Sequence, residues 1–102
     1  MMKLLLVTVV EQFEGDIMRL FKTAKIDSFS ESPIDGFKKP ASILMTSNWF
    51  PIDKGGVKSS LFFSFTEAEK IDTLFALIED FNTNLETSNP IKAVVVPIEK
   101  YI

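Results

Sequence analysis

The chain opens on a nearly unbroken apolar run, Leu4-Leu5-Leu6-Val7-Thr8-Val9-Val10, with Lys3 before it. A short β-branched run of this kind suits a central strand, so residues 3–10 are predicted as the first strand. The period then changes. Ile17, Leu20, Phe21 and Ala24 fall at i, i+3, i+4 and i+7, one helical stripe over residues 14–24. Glu14 and Asp16 stand early in it and Lys22 and Lys25 late, which complements the helix dipole, while Gly15 weakens the first turn. Over residues 26–37, Ile26, Phe29, Ile34 and Phe37 alternate imperfectly with polar residues. This predicts a second strand, interrupted or bulged at Pro33, because proline donates no ladder hydrogen bond. Residues 59–65 read as a third strand. Thr66-Glu67-Ala68-Glu69 has the form of a capping box. Ile71, Leu74, Phe75, Ile78 and Phe81 follow at i, i+3, i+4, i+7 and i+10, a second helix that Asn82-Thr83-Asn84 ends. A polar loop over residues 85–90 closes on Pro90, residues 92–96 form the last strand, and Pro97 stops it.

The order is therefore β-α-β-β-α-β in a single domain over residues 1–102. Two helices of this length cannot cover both faces of four strands. They are expected on one face of a four-stranded antiparallel sheet, an α+β, ferredoxin-like sandwich. The crossover rule places strands one and four in parallel pairs with strands three and two, in the order 4-1-3-2. One difficulty follows. Alternation along each strand sets Val7/Val9, Leu61/Phe63/Phe65 and Val94/Val96 against Leu6, Phe62 and Val95, so both sheet faces are apolar. An uncovered face of that kind calls for oligomerisation.

Composition narrows the chemistry. The 102 residues include no cysteine and no histidine. Disulfides, thiolate metal sites, thiol catalysis and imidazole acid–base chemistry are all absent. Eleven basic against fourteen acidic residues leave a net charge of −3, which speaks against nucleic-acid binding. The N-terminal apolar run is short, β-branched and followed by Glu11-Gln12-Phe13-Glu14, so it reads as a strand and not as a signal peptide. No stretch approaches a membrane span, and a cytoplasmic location is the default reading.

Residues 38–58 lack clean periodicity, and a connection that long is usually functional. It carries Ile43, Leu44, Met45, Trp49 and Phe50, the candidate partner-binding residues. Lys38, Lys39, Lys54 and Lys58 make it locally basic, a candidate anion contact. Gly55-Gly56 reads as a turn and belongs to no phosphate-loop motif. Glu11, Glu14 and Asp16 at the entrance of the first helix read as dipole capping and not as a cation site. Glu31 and Asp35, spaced i and i+4 in an extended segment, are expected to have no common target. No acid–base or nucleophile constellation is present, so enzymatic activity is not expected.

Three stretches together resemble the P-II (nitrogen regulatory protein) signalling superfamily. The first is Lys3 to Val10 with Phe13, similar to that family's first strand and the turn into its first helix. The second is Asp35-Gly36-Phe37-Lys38, placed like the Gly-Phe pair at the base of its long T-loop. The third is Lys92-Ala93-Val94-Val95-Val96-Pro97-Ile98-Glu99, similar to its lysine, apolar strand and Pro-Val-Glu turn. The resemblance spans essentially the whole chain. It implies a P-II-like fold, a homotrimer whose sheets face a central axis, and a T-loop at residues 38–58 that touches a membrane transporter or another regulated protein. It also implies ligand clefts between subunits, lined here by Gly36, Phe37, Lys38, Lys58 and Lys92 with Val9 beneath. Several family features are missing. The glycine-rich phosphate loop is replaced by Glu86-Thr87-Ser88-Asn89-Pro90-Ile91, the sole glutamine is Gln12, the sole tyrosine is Tyr101, and the arginine-bearing C-terminal extension is absent. These departures speak against conventional ATP and 2-oxoglutarate sensing, and no cofactor is assigned. A CutA-like trimer linked to divalent cation tolerance and an ACT-like small-molecule-binding module are the alternatives on the same topology.

Overall fold

The structure, a computed structural model, describes residues 1–37 and 56–102. Along the chain run β1 (Met2–Val10), a 3-10 turn (Glu11–Phe13), α1 (Glu14–Thr23), β2 (Ser30–Gly36), β3 (Val57–Glu67), α2 (Ala68–Thr83) and β4 (Lys92–Pro97). The strands form one sheet in the order β2-β3-β1-β4, which is 4-1-3-2 counted from the other edge. Every neighbouring pair is antiparallel. The parallel pairing expected of adjacent strands is thus corrected. Each helical crossover skips one place, so β1 and β2 run parallel with β3 between them, and β3 and β4 with β1 between them. A crossover helix lying over the sheet leaves room for the strand it passes.

Alternation in β1 decides where the core sits. Leu5, Val7 and Val9 are buried, and the register sets Val7 beside Phe62 and Ala93 and Leu5 beside Ser64 and Val95. On this face lie Ile17 and Phe21 of α1 and Ile71, Leu74 and Ile78 of α2, the residues of the two helical stripes. Phe21, Phe29 and Phe62 form an aromatic trio with ring centroids 4.7, 5.4 and 5.8 Å apart. Such pairs contribute about 0.5–1.5 kcal/mol each beyond their buried area.

Among the described residues the other face has no helix. Leu4, Leu6, Leu61 and Phe63 are half-buried there, and Phe65 and Val94 are 56% and 54% exposed. Both faces of the central strands are therefore apolar, as alternation required. Among the described residues no helix is long and apolar enough to cross a membrane.

Three local readings are corrected. The second strand starts at Ser30 and not at residue 26, because α1 closes in a Schellman turn. Ile26 N–H donates to the Phe21 carbonyl at 2.9 Å, and Lys25 N–H donates to that of Lys22 at 3.0 Å, with Lys25 at φ 63°. That turn drives Ile26 into the core. No bulge occurs at Pro33, which pairs one for one with Ser60 on an edge strand where the missing donor costs little. Nor does Thr66 cap the second helix. Pairing with Lys3 keeps it in β3, and Glu67 takes the N-cap position without a side-chain cap. Instead the Met1 carbonyl accepts from Ala68 N–H at 3.0 Å, and Glu67 Oε1 accepts from the Met1 amino group at 2.8 Å, which raises the pKa of that amine.

Candidate functional site

All four strands reach one end of the sheet together: β1 and β2 finish there, and β3 and β4 begin there. A cleft of about 290 Å³ lies at that end. One wall comes from Thr8 to Val10, a second from Ile34, Gly36 and Phe37, and a third from Val57 and Ser59. Ser88, Asn89 and Pro90 of the loop before β4 close it, and Lys92 stands at the start of that strand. Lys92 pairs with Thr8 across the ladder, so the two share a face, as do Val10 and Ser59. Among the described lining residues Lys92 alone carries a charge, and among the described residues its ammonium has no ion pair. The arrangement offers one cation, hydroxyl and amide groups, and apolar walls, a set suited to a small anion.

Two devices hold the walls. Gly56, at φ +64°, is pressed so tightly that a Cβ there would lie 2.9 Å from the Phe37 ring and 3.0 Å from the Gly36 carbonyl. The contact joins the end of β2 to the approach to β3, and it sets the exposed Phe37 ring at the rim. The second device is Asn82 near the end of α2. Its Nδ2 donates to the Ile91 carbonyl at 2.9 Å, and its Oδ1 accepts from Ile91 N–H at 3.0 Å. This two-point clasp imitates a strand neighbour and anchors the closing loop just before Lys92. Within that loop Asn89 N–H donates to Thr87 Oγ1 at 3.0 Å.

Four of the six expected ligand residues, Val9, Gly36, Phe37 and Lys92, come together in this cleft. Val9 is buried on the helix side, beneath the floor. Lys58 lies elsewhere. It belongs to β3 opposite Asp35, on the alternation opposite to Val57 and Ser59. It lines a separate hollow with Glu11, Glu14, Glu31 and Asp35. Lys38, Lys39 and Lys54 fall outside the described residues, as do Ile43, Leu44, Met45, Trp49, Phe50 and Gly55.

The same hollow corrects the reading of Glu31 and Asp35. Positions i and i+4 of a strand share a face, so both carboxylates line it. The buried Ser60 hydroxyl lies there within hydrogen-bonding reach of the carboxylates of Glu14 and Glu31, the latter at 2.9 Å. Asp16 pairs instead with Arg19 on α1. Among the described residues no group of carboxylates is arranged to hold a metal. Thr8, Ser59, Asn82 and Asn89 carry no signal in the sequence. Their spacing forms no motif, and only the strand register and the α2 clasp assemble them.

No protein-family model matches the chain, and no curated protein does. Solved structures do match it. A protein of Thermus thermophilus described as PII-like and signalling superposes with a TM-score of 0.61 at 13% identity, over 95% of this chain and 86% of that one. CPII, a nitrogen regulatory PII-like protein from Thiomonas intermedia, superposes with a TM-score of 0.58 at 11% identity, over 99% and 96%. The chain has a PII-like fold. Both PII-like structures cover nearly its whole length, so the topology is shared from β1 to β4. The CPII structure is described as bound to ADP, AMP and bicarbonate.

Proposed function

We propose that this chain is a PII-like regulatory protein, without catalytic activity, that binds a small anionic ligand in the cleft at the four-strand end. It signals that ligand to a partner through the segment expected at residues 38–58, shortened at its end because Val57 and Lys58 belong to β3. The observation that carries the reading is the meeting of Gly36, Phe37 and Lys92 in one cleft, at the point where that segment leaves the sheet and rejoins it. Ligand binding against Phe37 would favour one arrangement of the segment over others, and only such a difference in affinity can shift a population. Ile43, Leu44, Met45, Trp49 and Phe50 are then the partner contacts, and a membrane transporter in contact with the cytoplasm is the kind of partner proposed. The uncovered sheet face is proposed to be buried in a homotrimer, with Leu4, Phe65 and Val94 turned to the axis and the clefts completed between subunits. The chain lacks a glycine-rich loop before β4, so a single phosphate or bicarbonate fits Lys92, the one cation among the described lining residues, better than a triphosphate does.

Thermal unfolding with bicarbonate, AMP, ADP and 2-oxoglutarate tests the ligand. A ligand at about 100 times its Kd adds about 2.7 kcal/mol, a rise of several degrees in a domain of this size. The expected result is stabilisation by bicarbonate or AMP, lost in Lys92→Ala while the unliganded Tm stays within a degree or two. Trp49 fluorescence should change with the same ligand. Equal stabilisation of parent and variant would remove Lys92 from the site, and no response to any of the four would sink ligand gating by them.

A further inference from the structure

On the helix side, remote from the four-strand end, α1, its connection to β2 and the first turn of α2 frame a second, open cleft of about 610 Å³. Met18, Ile26 and Phe29 supply its apolar surface, and Lys22, Lys25 and Lys70 its charge, with Asp27 as the one carboxylate. We propose that this cleft binds a small organic anion carrying at least two negative charges on an apolar body, such as an aryl phosphate.

The charge balance is the first argument. Three ammonium groups and one carboxylate leave a local charge of +2 on a chain whose net charge is −3. None of the three ammonium groups forms an ion pair or hydrogen bond among the described residues. Fourteen acidic side chains were available to the chain, and among the described residues the fold pairs none of them with these lysines.

The second argument is the position of each cation. Lys22 and Lys25 stand at the C-terminus of α1, where the helix dipole favours them. Lys70 stands in the first turn of α2, where the dipole opposes it, and it is half-buried. A lysine on the unfavourable end of a helix, partly withdrawn from water and in no ion pair among the described residues, in a cleft where three lysines outnumber one aspartate, is suited to an anion supplied from outside. Lys25 is moreover held in the left-handed conformation of the Schellman turn, which fixes its backbone at the cleft wall.

The third argument is the wall chemistry. Phe29 is half-buried, with its ring locked against Phe21 and Phe62, so it offers a rigid aromatic surface. Met18 beside it is 45% exposed and adaptable. The volume falls within the range of about 300–1,000 Å³ typical of small-molecule sites. An apolar body on Phe29 and Met18 with its phosphate among the lysines satisfies both halves of the cleft. The site is independent of the cleft at Lys92 and lies on the sheet's opposite face from Phe65 and Val94, so trimer formation through that face leaves it open.

Titration of the full-length ¹⁵N-labelled protein with 1-naphthyl phosphate, followed by amide shifts, tests it. The expected result is saturable shifts centred on Lys22 to Phe29 and on Lys70. The combined variant Lys22→Gln, Lys25→Gln, Lys70→Gln should bind at least tenfold more weakly, with a dispersed spectrum that shows it folded. Lys92→Gln should bind as the parent does, which separates this site from the cleft proposed above. Neutral 1-naphthol should bind at least tenfold more weakly than its phosphate. The proposal is overturned if no saturable shift occurs, if the shifts centre on Lys92 and Ser88 to Pro90, if the triple variant binds as well as the parent, or if a poly-glutamate peptide binds while naphthyl phosphate does not.

Discussion

Gly56 shows how much one residue can settle. Its φ of +64° lies in the region that L side chains rarely adopt, and the space where a Cβ would stand is filled by Phe37 and the Gly36 carbonyl. One of these neighbours is backbone, so the site cannot yield cheaply. Gly56→Ala is expected to lower stability by about 1–3 kcal/mol, the range for strain at a special backbone position, measurable by urea unfolding. An unchanged midpoint would mean that Phe37 and Gly56 are not in contact in solution. The sequence marked Gly55-Gly56 as a turn, but not which glycine was obligatory or why. The answer depends on Phe37, nineteen positions earlier, lying against the second of them. Lys58 teaches the same lesson in reverse. The resemblance implied Lys58 as a cleft residue, yet Val57 and Ser59 on either side of it line the cleft, and one step along a strand turns a side chain to the other face.

At the scale of elements, the two helices and the central strands were legible because their periods are strong. Ile17, Leu20, Phe21 and Ala24 on the α1 stripe and Ile71, Leu74 and Ile78 on α2 do face the core. The ends of elements were less legible. Thr66 has good capping chemistry, but the β1–β3 ladder outweighs a single cap hydrogen bond of about 1 kcal/mol and carries the strand on to Glu67. The Asn82 clasp is another feature without a local signature, since asparagine at the end of a helix reads only as a stop. Asn82→Ala removes two hydrogen bonds to Ile91 and leaves that residue's backbone groups unpaired, at a cost of about 1–3 kcal/mol. Hydrogen exchange at the Ile91 amide should accelerate in the variant, while β1 amides stay protected in proportion to the global stability alone. Unaltered exchange at Ile91 would show that the loop before β4 is held by other contacts.

At the scale of the whole molecule, the apolar sheet face opposite the helices is a broad surface that no helix covers among the described residues. It combines Leu4, Leu6, Leu61 and Phe63 with the more exposed Phe65 and Val94, and contiguous apolar areas of this kind mark interfaces. Light scattering coupled to size exclusion should give a mass of about 34.5 kDa, three times the 11.5 kDa chain. Phe65→Glu should reduce it to the monomer mass with the circular dichroism of the fold retained, because Phe65 contributes nothing to the helix-side core. A dimer would favour side-by-side sheet pairing of the ACT-like kind, and a stable monomer would refute the assembly.

The amino-acid sequence by itself determined the order of elements, the one-sided placement of the helices and the two-faced hydrophobicity of the sheet. These follow from local periods and from topology rules that act along the chain. Only the tertiary structure decided which residues pair in the antiparallel register, the separation of Lys58 from the cleft, the meeting of Glu14 and Glu31 at Ser60, and the lysine cleft between the helices. Each of these depends on which residues distant in sequence become neighbours. A one-residue change in strand register would reassign every one of the sheet positions, and no local pattern encodes that register before the core closes.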